Sequence, residues 1–195
     1  MKKLLLLVSF SVYFFTSNAQ YCGNSGSFQC TSSSLSQPWL TPPPDSLPPF
    51  VNGQPSNTVI QFKNFNTVYF GGSNYTVNWL RIDTVDNLPA GLCWASNKAD
   101  NTYANQESGC LKVNGIPCDS TGQYKMRIIV TVDIGFGSVQ VNADQAGLKY
   151  FIRLKNTGDT DTPVDTNQTA SNDFIPYGGS CSSLPLVTYL GTDQI

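Results

Sequence analysis

Apolar and polar residues alternate with a period of two along several stretches of this chain. Ile60 and Phe62 alternate with Gln61 and Lys63, and Leu80 and Ile82 with Trp79 and Arg81. Tyr124, Met126, Ile128, Val130 and Val132 alternate with Lys125, Arg127, Ile129, Thr131 and Asp133. Leu148, Tyr150, Ile152 and Leu154 alternate with Lys149, Phe151, Arg153 and Lys155. A two-residue period describes strands with one buried and one wet face. No segment beyond the N-terminus keeps a 3.6-residue period; one turn of helix is expected over 143–147. Gly, Pro and Asn turns separate the strands, so the pattern predicts an all-β antiparallel sandwich. Its core comes from the inward faces, where full burial of Ile128 or Leu154 is worth about 1.5–3 kcal/mol each.

The flanks are different. Lys2 and Lys3 precede an apolar run from Leu4 to Phe15, and Ser17-Asn18-Ala19 supplies small residues. Residues 1–19 therefore read as a secretory signal peptide cleaved after Ala19. The apolar run is about 12 residues, short of the roughly 20 that span a bilayer. Residues 20–56 are rich in Pro and Ser, and Thr41 to Phe50 holds five prolines. Proline fixes φ and lacks an amide donor, so this part is expected as an extended N-terminal extension. The sandwich is placed at 57–156. Residues 157–195 are read as a polar loop and C-terminal tail, stapled back at Cys181.

Composition narrows the chemistry. Charged residues make up 12% of the chain, about half the usual share, and no Lys/Arg cluster suits nucleic acid. The mature chain has no expected transmembrane segment. An exported chain with six cysteines reads as a disulfide framework. There is no His and no CxxC, so His-ligated metal and Ser-His-Asp or Cys-His catalysis are excluded.

Leu88 to Leu92 reads Leu-Pro-Ala-Gly-Leu. Gly109 to Asp133 then runs through Gly115-Ile116-Pro117 and Gly122-Gln123-Tyr124 into the longest alternating stretch. This arrangement resembles the immunoglobulin-like, cadherin-like domains of bacterial exported proteins. The resemblance is tight over about a quarter of the chain and loose over 57–156. It implies a seven-strand sandwich in which Leu88, Leu92 and Leu111 plug one end. Ile116 and Cys118 stand where that family has Thr, and Cys93 and Cys110 are additions to its pattern. Cys93 and Cys110 flank one loop and are expected to pair, followed by Cys22 with Cys30 and Cys118 with Cys181. The loop so pinned, Ala95 to Ser108, would display Trp94, Asn97, Asn101, Tyr103, Asn105 and Gln106 for binding, or serve as a protected connection.

The chain also resembles exported proteins of Gram-negative bacteria that use type IX secretion, in its Asn-Ala-Gln signal end and its Leu-Pro-x-Gly-Leu-Cys-Trp loop. No C-terminal sorting domain of that system is read up to Ile195, so the expectation is a fragment or another export route. Those bacteria O-glycosylate short Asp-Ser/Thr motifs, which implies Ser46, Thr84 and Ser120 as acceptors.

The remaining chemistry is sparse. Glu107 is the only glutamate; a glycosidase reading would pair it with Asp100 on the same loop. The chain is expected not to be an enzyme. Asp159, Asp161 and Asp165 in a loop, with strand-end Asp133, are a candidate calcium set, since Ca²⁺ takes several carboxylate and carbonyl oxygens. No other cofactor is expected, and a solvated acidic linker is the competing reading. Trp79 is on the outward register of its strand, either facing a glycan or lying under the N-terminal segment with Trp39. The expected function is a secreted or cell-surface non-catalytic module with a structural, adhesive or binding role and an extracellular protein or glycan as partner. A carbohydrate-binding module using an exposed Trp is the alternative, and a cell-envelope enzyme using loop carboxylates the second.

Overall fold

A computed structural model of the chain describes residues 21–23, 25–30, 40–146, 148–168 and 174–178. The strands are β1 (Leu40–Thr41), β2 (Phe50–Val51), β3 (Ser56–Lys63), β4 (Thr67–Phe70), β5 (Ser73–Thr76), β6 (Trp79–Asp86) and β7 (Leu92–Ser96). They continue as β8 (Thr102–Ala104), β9 (Ser108–Gly115), β10 (Gly122–Asp133), β11 (Ser138–Asn142), β12 (Tyr150–Lys155) and β13 (Phe174–Pro176). The expected helical turn is a 3₁₀ turn, Ala143–Ala146.

One main sheet runs β1-β3-β9-β7 and the other β2-β12-β10-β6-β8 with β11 and β13 also on β10, while β4 and β5 form a separate two-stranded hairpin. All pairings are antiparallel except β2 with β12. The twelve-residue β10 organises the larger sheet. Along one side it meets β12 and then β11; along the other it meets β13 and then β6. Both sheets feed one core. Ile60, Leu92, Trp94, Leu111 and Val113 come from the first, and Ile82, Met126, Val130, Ile152 and Leu154 from the second. The expected all-β, two-sheet, disulfide-stapled architecture is therefore present. Leu92 and Leu111 are buried as expected, with Leu88 packed partly against the core.

The Leu-Pro-Ala-Gly-Leu and Asn-Gly-Ile-Pro segments form two turns pressed together. Ile116 N–H donates to Gly91 O at 3.1 Å, and Cys118 N–H to Ala90 O at 2.8 Å. Gly91 and Gly115 have φ of +86° and +134°. A Cβ on Gly91 would be 2.1 Å from the Ile116 carbonyl oxygen, and one on Gly115 2.1 Å from the Gly91 oxygen. Only glycine meets both demands, the backbone sign and the close approach.

Two expectations need correction. First, one-sided strands fail in the first half of β10. Gln123 and Lys125 are buried on the face opposite Tyr124 and Met126, and Phe151 beside Lys125 is buried too. That face is covered. Gln123 Nε2 donates to Asp165 O and Gln168 Oε1, while Lys125 pairs with Asp144 of the 3₁₀ turn. Second, 57–156 is not a self-contained unit. Leu47 and Phe50 of the proline-rich extension are core residues, and the boundary at 57 cuts through β3. Arg153 donates to Leu47 O at 2.7 Å and to Thr162 O at 2.9 Å, tying extension, sheet and following loop together. β13 then pairs with β10. The signal residues 1–19 lie outside the described residues.

Candidate functional site

The segment from Ala95 to Ser108 is no displayed loop. β7 belongs to the first sheet, β8 crosses to pair with β6 of the second, and β9 returns. The crossing buries Ala95, Ser96 and Tyr103, while Ala99, Asp100, Ala104 and Gln106 stay exposed at its turns. Trp94 is 3% exposed, with Tyr21 packed edge-on at 5.1 Å. Tyr103 is fully buried against Phe62 at 4.7 Å, and Gly109 leaves the room its ring needs. Its hydroxyl donates to Asn97 Oδ1 at 2.8 Å, and the same oxygen accepts from Cys110 N–H at 2.9 Å. Burial pushes the Tyr103 phenol up to about 12, against the lowering from its hydrogen bonds. Trp94 and Tyr103 are thus core residues, not binding residues. Asn97 is a clamp inside the crossing. Asn105 Nδ2 holds Asn66 O and Val77 O, at the base of the β4–β5 hairpin. Asn101 and Gln106 take left-handed backbone at φ 56° and shape the two turns. Trp79 is half-buried at the start of β6, opposite Asp133; Trp39 lies outside the described residues.

The cysteine pairing also differs. The bonds are Cys22–Cys93 and Cys30–Cys110, so neither Cys93–Cys110 nor Cys22–Cys30 forms. Strand register is the reason. Cys93 is opposite Asn114, and Cys110 is level with Asn97. Four residues of strand, about 13 Å, separate the two sites, beyond the ~7 Å limit for bridged Cα atoms. The N-terminal segment instead runs parallel to β7, with Tyr21 bridged to Trp94 and Cys22 N–H donating to Trp94 O at 2.9 Å. Cys118 is disulfide-bonded; its expected partner Cys181 lies outside the described residues.

The acids are separated and engaged. Asp133 accepts from Asn78 Nδ2 at 2.7 Å and Gly135 N–H at 3.1 Å, at one end of β10. Asp165 accepts at its backbone from Gln123, at the other end of β10. That strand length is about 35 Å, so Asp133 cannot join the other three in one calcium sphere. Asp159 caps Asn156 N–H and Asp161 pairs with Arg153 at 2.8 Å. Among the described residues no three metal-ligating side chains cluster. Glu107 is gripped by Lys98 at 2.9 and 3.0 Å and accepts from Ala104 N–H, while Asp100 accepts from Thr102 N–H. Ser46 and Ser120 are exposed; Thr84 is half-buried within β6, its hydroxyl donating to Asp86.

What the fold does build is a cleft between the sheets. Leu40, Ile60, Phe62 and Leu111 wall it on one side; Leu80, Ile82, Ile128 and Val130 wall it on the other. Ala143, Leu148 and Tyr150 add to the lining with Phe65, and Lys63 contributes carbon rather than its ammonium, so the surface of the cleft is apolar. Tyr150 turns its hydroxyl away to Pro42 O at 2.7 Å, leaving ring surface to the cleft. Phe62, Phe65, Leu80, Ile128 and Leu148 are half-buried, so apolar side chains form its rim. Its volume is about 80 Å³, and unfilled apolar volume of this size forgoes about 2 kcal/mol of packing. The sequence marks these positions as inward-facing but carries no signal for how closely the two sheets meet over them.

No protein family, curated protein or solved structure matches the chain. The cystines suit an oxidising, extracytoplasmic compartment. Among the described residues no helix is long and apolar enough to cross a membrane.

Proposed function

We propose that this is a secreted or cell-surface, non-catalytic module of immunoglobulin-like type that serves a structural, adhesive or binding role, of the kind exported by type IX-secreting Gram-negative bacteria. The observation that supports it is the state of the acid pair Asp100 and Glu107. Glu107 is held by Lys98 and a backbone amide, and Asp100 caps the turn before β8. Carboxylates so engaged stabilise a crossing between sheets; a glycosidase pair must flank a scissile bond. The test is a glycosidase and esterase screen of the mature protein beside Asp100→Asn and Glu107→Gln. The reading expects no turnover from the parent. Turnover that either variant abolishes at unchanged melting temperature overturns it.

A second reading, carbohydrate binding, draws support from the β4–β5 hairpin. Tyr69 is 74% exposed there, opposite Asn74 in the ladder, and Phe136 is 71% exposed on the neighbouring turn. Under this reading polysaccharide retention falls in Tyr69→Ala, and Trp79→Ala, from a half-buried site, loses less. Absence of retention by the parent protein removes it.

A further inference from the structure

We infer that β11 is an interface with a second copy of this chain, the two strands pairing antiparallel, edge to edge, about a two-fold axis at Gln140. The edge is open. β11 (Ser138–Asn142) pairs with β10 along one side, and no described residue pairs with its other side. Other edges are short or covered. β1 and β2 have two residues each, and β8 and β13 three. β7 is covered by the N-terminal segment, with Cys22 N–H donating to Trp94 O at 2.9 Å and Gly26 N–H to Ser96 O at 2.8 Å. Short strands and covers of this kind block pairing with other chains. β11 has neither device, and it holds no proline and no charged residue.

The ladder decides which groups face out. Ile134 N–H donates to Gly137 O at 3.1 Å, so these two residues are a bonded pair. Bonded and non-bonded pairs alternate along an antiparallel ladder. Val139 and Val141 therefore bond to β10, and Ser138, Gln140 and Asn142 turn their backbone N–H and C=O groups outward.

The sequence decides the partner. Ser-Val-Gln-Val-Asn reads nearly alike from both ends. Antiparallel pairing about Gln140 sets Gln140 against Gln140, Ser138 against Asn142 and Val139 against Val141. Every outward-facing residue then meets another, and each such pair exchanges both hydrogen bonds. Val139 and Val141, half-buried beside the core, meet each other across the axis. Gln140 gives Nε2 to Asp83 Oδ2 at 3.0 Å, which leaves a second amide hydrogen and its own oxygen for the Gln140 of the other copy. The same axis brings Phe136, 71% exposed, level with the 3₁₀ turn of the other copy. An isologous interface requires a self-match of this kind. Residues 56–60 of β3, beyond β1, would set Ser56 against Ile60 and lack it. Pairing at β11 is independent of what the module binds.

The experiment is sedimentation equilibrium of the mature, oxidised protein from micromolar to millimolar concentration, with amide hydrogen exchange followed by NMR at both limits. A concentration-dependent equilibrium between monomer and dimer is expected. Exchange at Ser138, Gln140 and Asn142 is expected to slow about threefold or more at the high limit, with Val139 and Val141 unchanged. Gln140→Lys, which sets two ammonium groups against each other at the axis, is expected to keep the folded spectrum and to stay monomeric throughout. A monomer at every concentration overturns the inference. So does a dimer whose Ser138, Gln140 and Asn142 amides exchange as fast as the monomer's, or a dimer that Gln140→Lys leaves intact. Protection of those three amides in the monomer would mean that the chain covers its own edge, and overturns it as well.

Discussion

At the scale of single residues, the folded state depends on a few positions with no substitute. Gly91 and Gly115 are pressed back to back, each at positive φ and each within 2.1 Å of carbonyl oxygen if given a Cβ. Gly91→Ala or Gly115→Ala is expected to lower stability by about 2 kcal/mol or more, measured by urea unfolding. Lys125 and Asp144 form an ion pair with side chains 5% and 12% exposed. Lys125→Met leaves Asp144 only Lys149, at 4.0 Å, and is expected to cost about 3 kcal/mol, whereas replacing both Lys125 and Asp144 with apolar residues restores most of it. Two titrations give opposite signs. Asp83 is partly desolvated, which raises its pKa, but hydrogen bonds from Thr131, Gln140 and Arg81 outweigh that and hold it below the usual carboxylate value. Its contribution is present above the unfolded pKa and is lost as pH falls through the depressed folded value; Asp83→Asn should flatten that acid limb. Burial raises Tyr103 to about 12, so its contribution is present below pH ~10. It fades as pH rises toward 12, and Tyr103→Phe should remove that alkaline loss.

At the scale of elements, alternation located the strands well because each strand's core face is read off its own residues. β3, β6, β10 and β12 fall where Ile60, Ile82, Met126 and Ile152 predicted them. What lies on the other face is not local. Lys125 reads as wet, yet the 3₁₀ turn covers it, and the loop at 165–168 covers Gln123 two residues before it. The Trp94 and Tyr103 error has the same origin. Turn-forming neighbours made 95–108 look displayed, and nothing in the sequence says that β8 changes sheets. Cystine pairing depends on register, which flanking positions in a loop do not set. The two bonds close separations of 71 and 80 residues, each worth about 4 kcal/mol in the chain-entropy model. Replacing Cys30 and Cys110 with Ser is expected to lower stability by about that amount, read from the urea midpoint.

At the scale of the whole molecule, the extension, the sandwich strands and the segment through β13 are one structure. Leu47 and Phe50 fill the core, Arg153 joins three segments, and the N-terminal strand-like segment is stapled along β7. A chain trimmed to 57–156 is therefore expected to unfold or aggregate, while the mature chain melts in one transition by circular dichroism. The apolar cleft belongs to this scale too, since its walls come from both sheets and from β1. The measurement that bears most directly on this account is disulfide mapping of the mature, unreduced protein by peptide mass spectrometry. The account predicts cross-linked peptides joining Cys22 to Cys93 and Cys30 to Cys110. A peptide pair joining Cys93 to Cys110, or Cys22 to Cys30, would contradict the register of β7 against β9 and the placement of the N-terminal segment together.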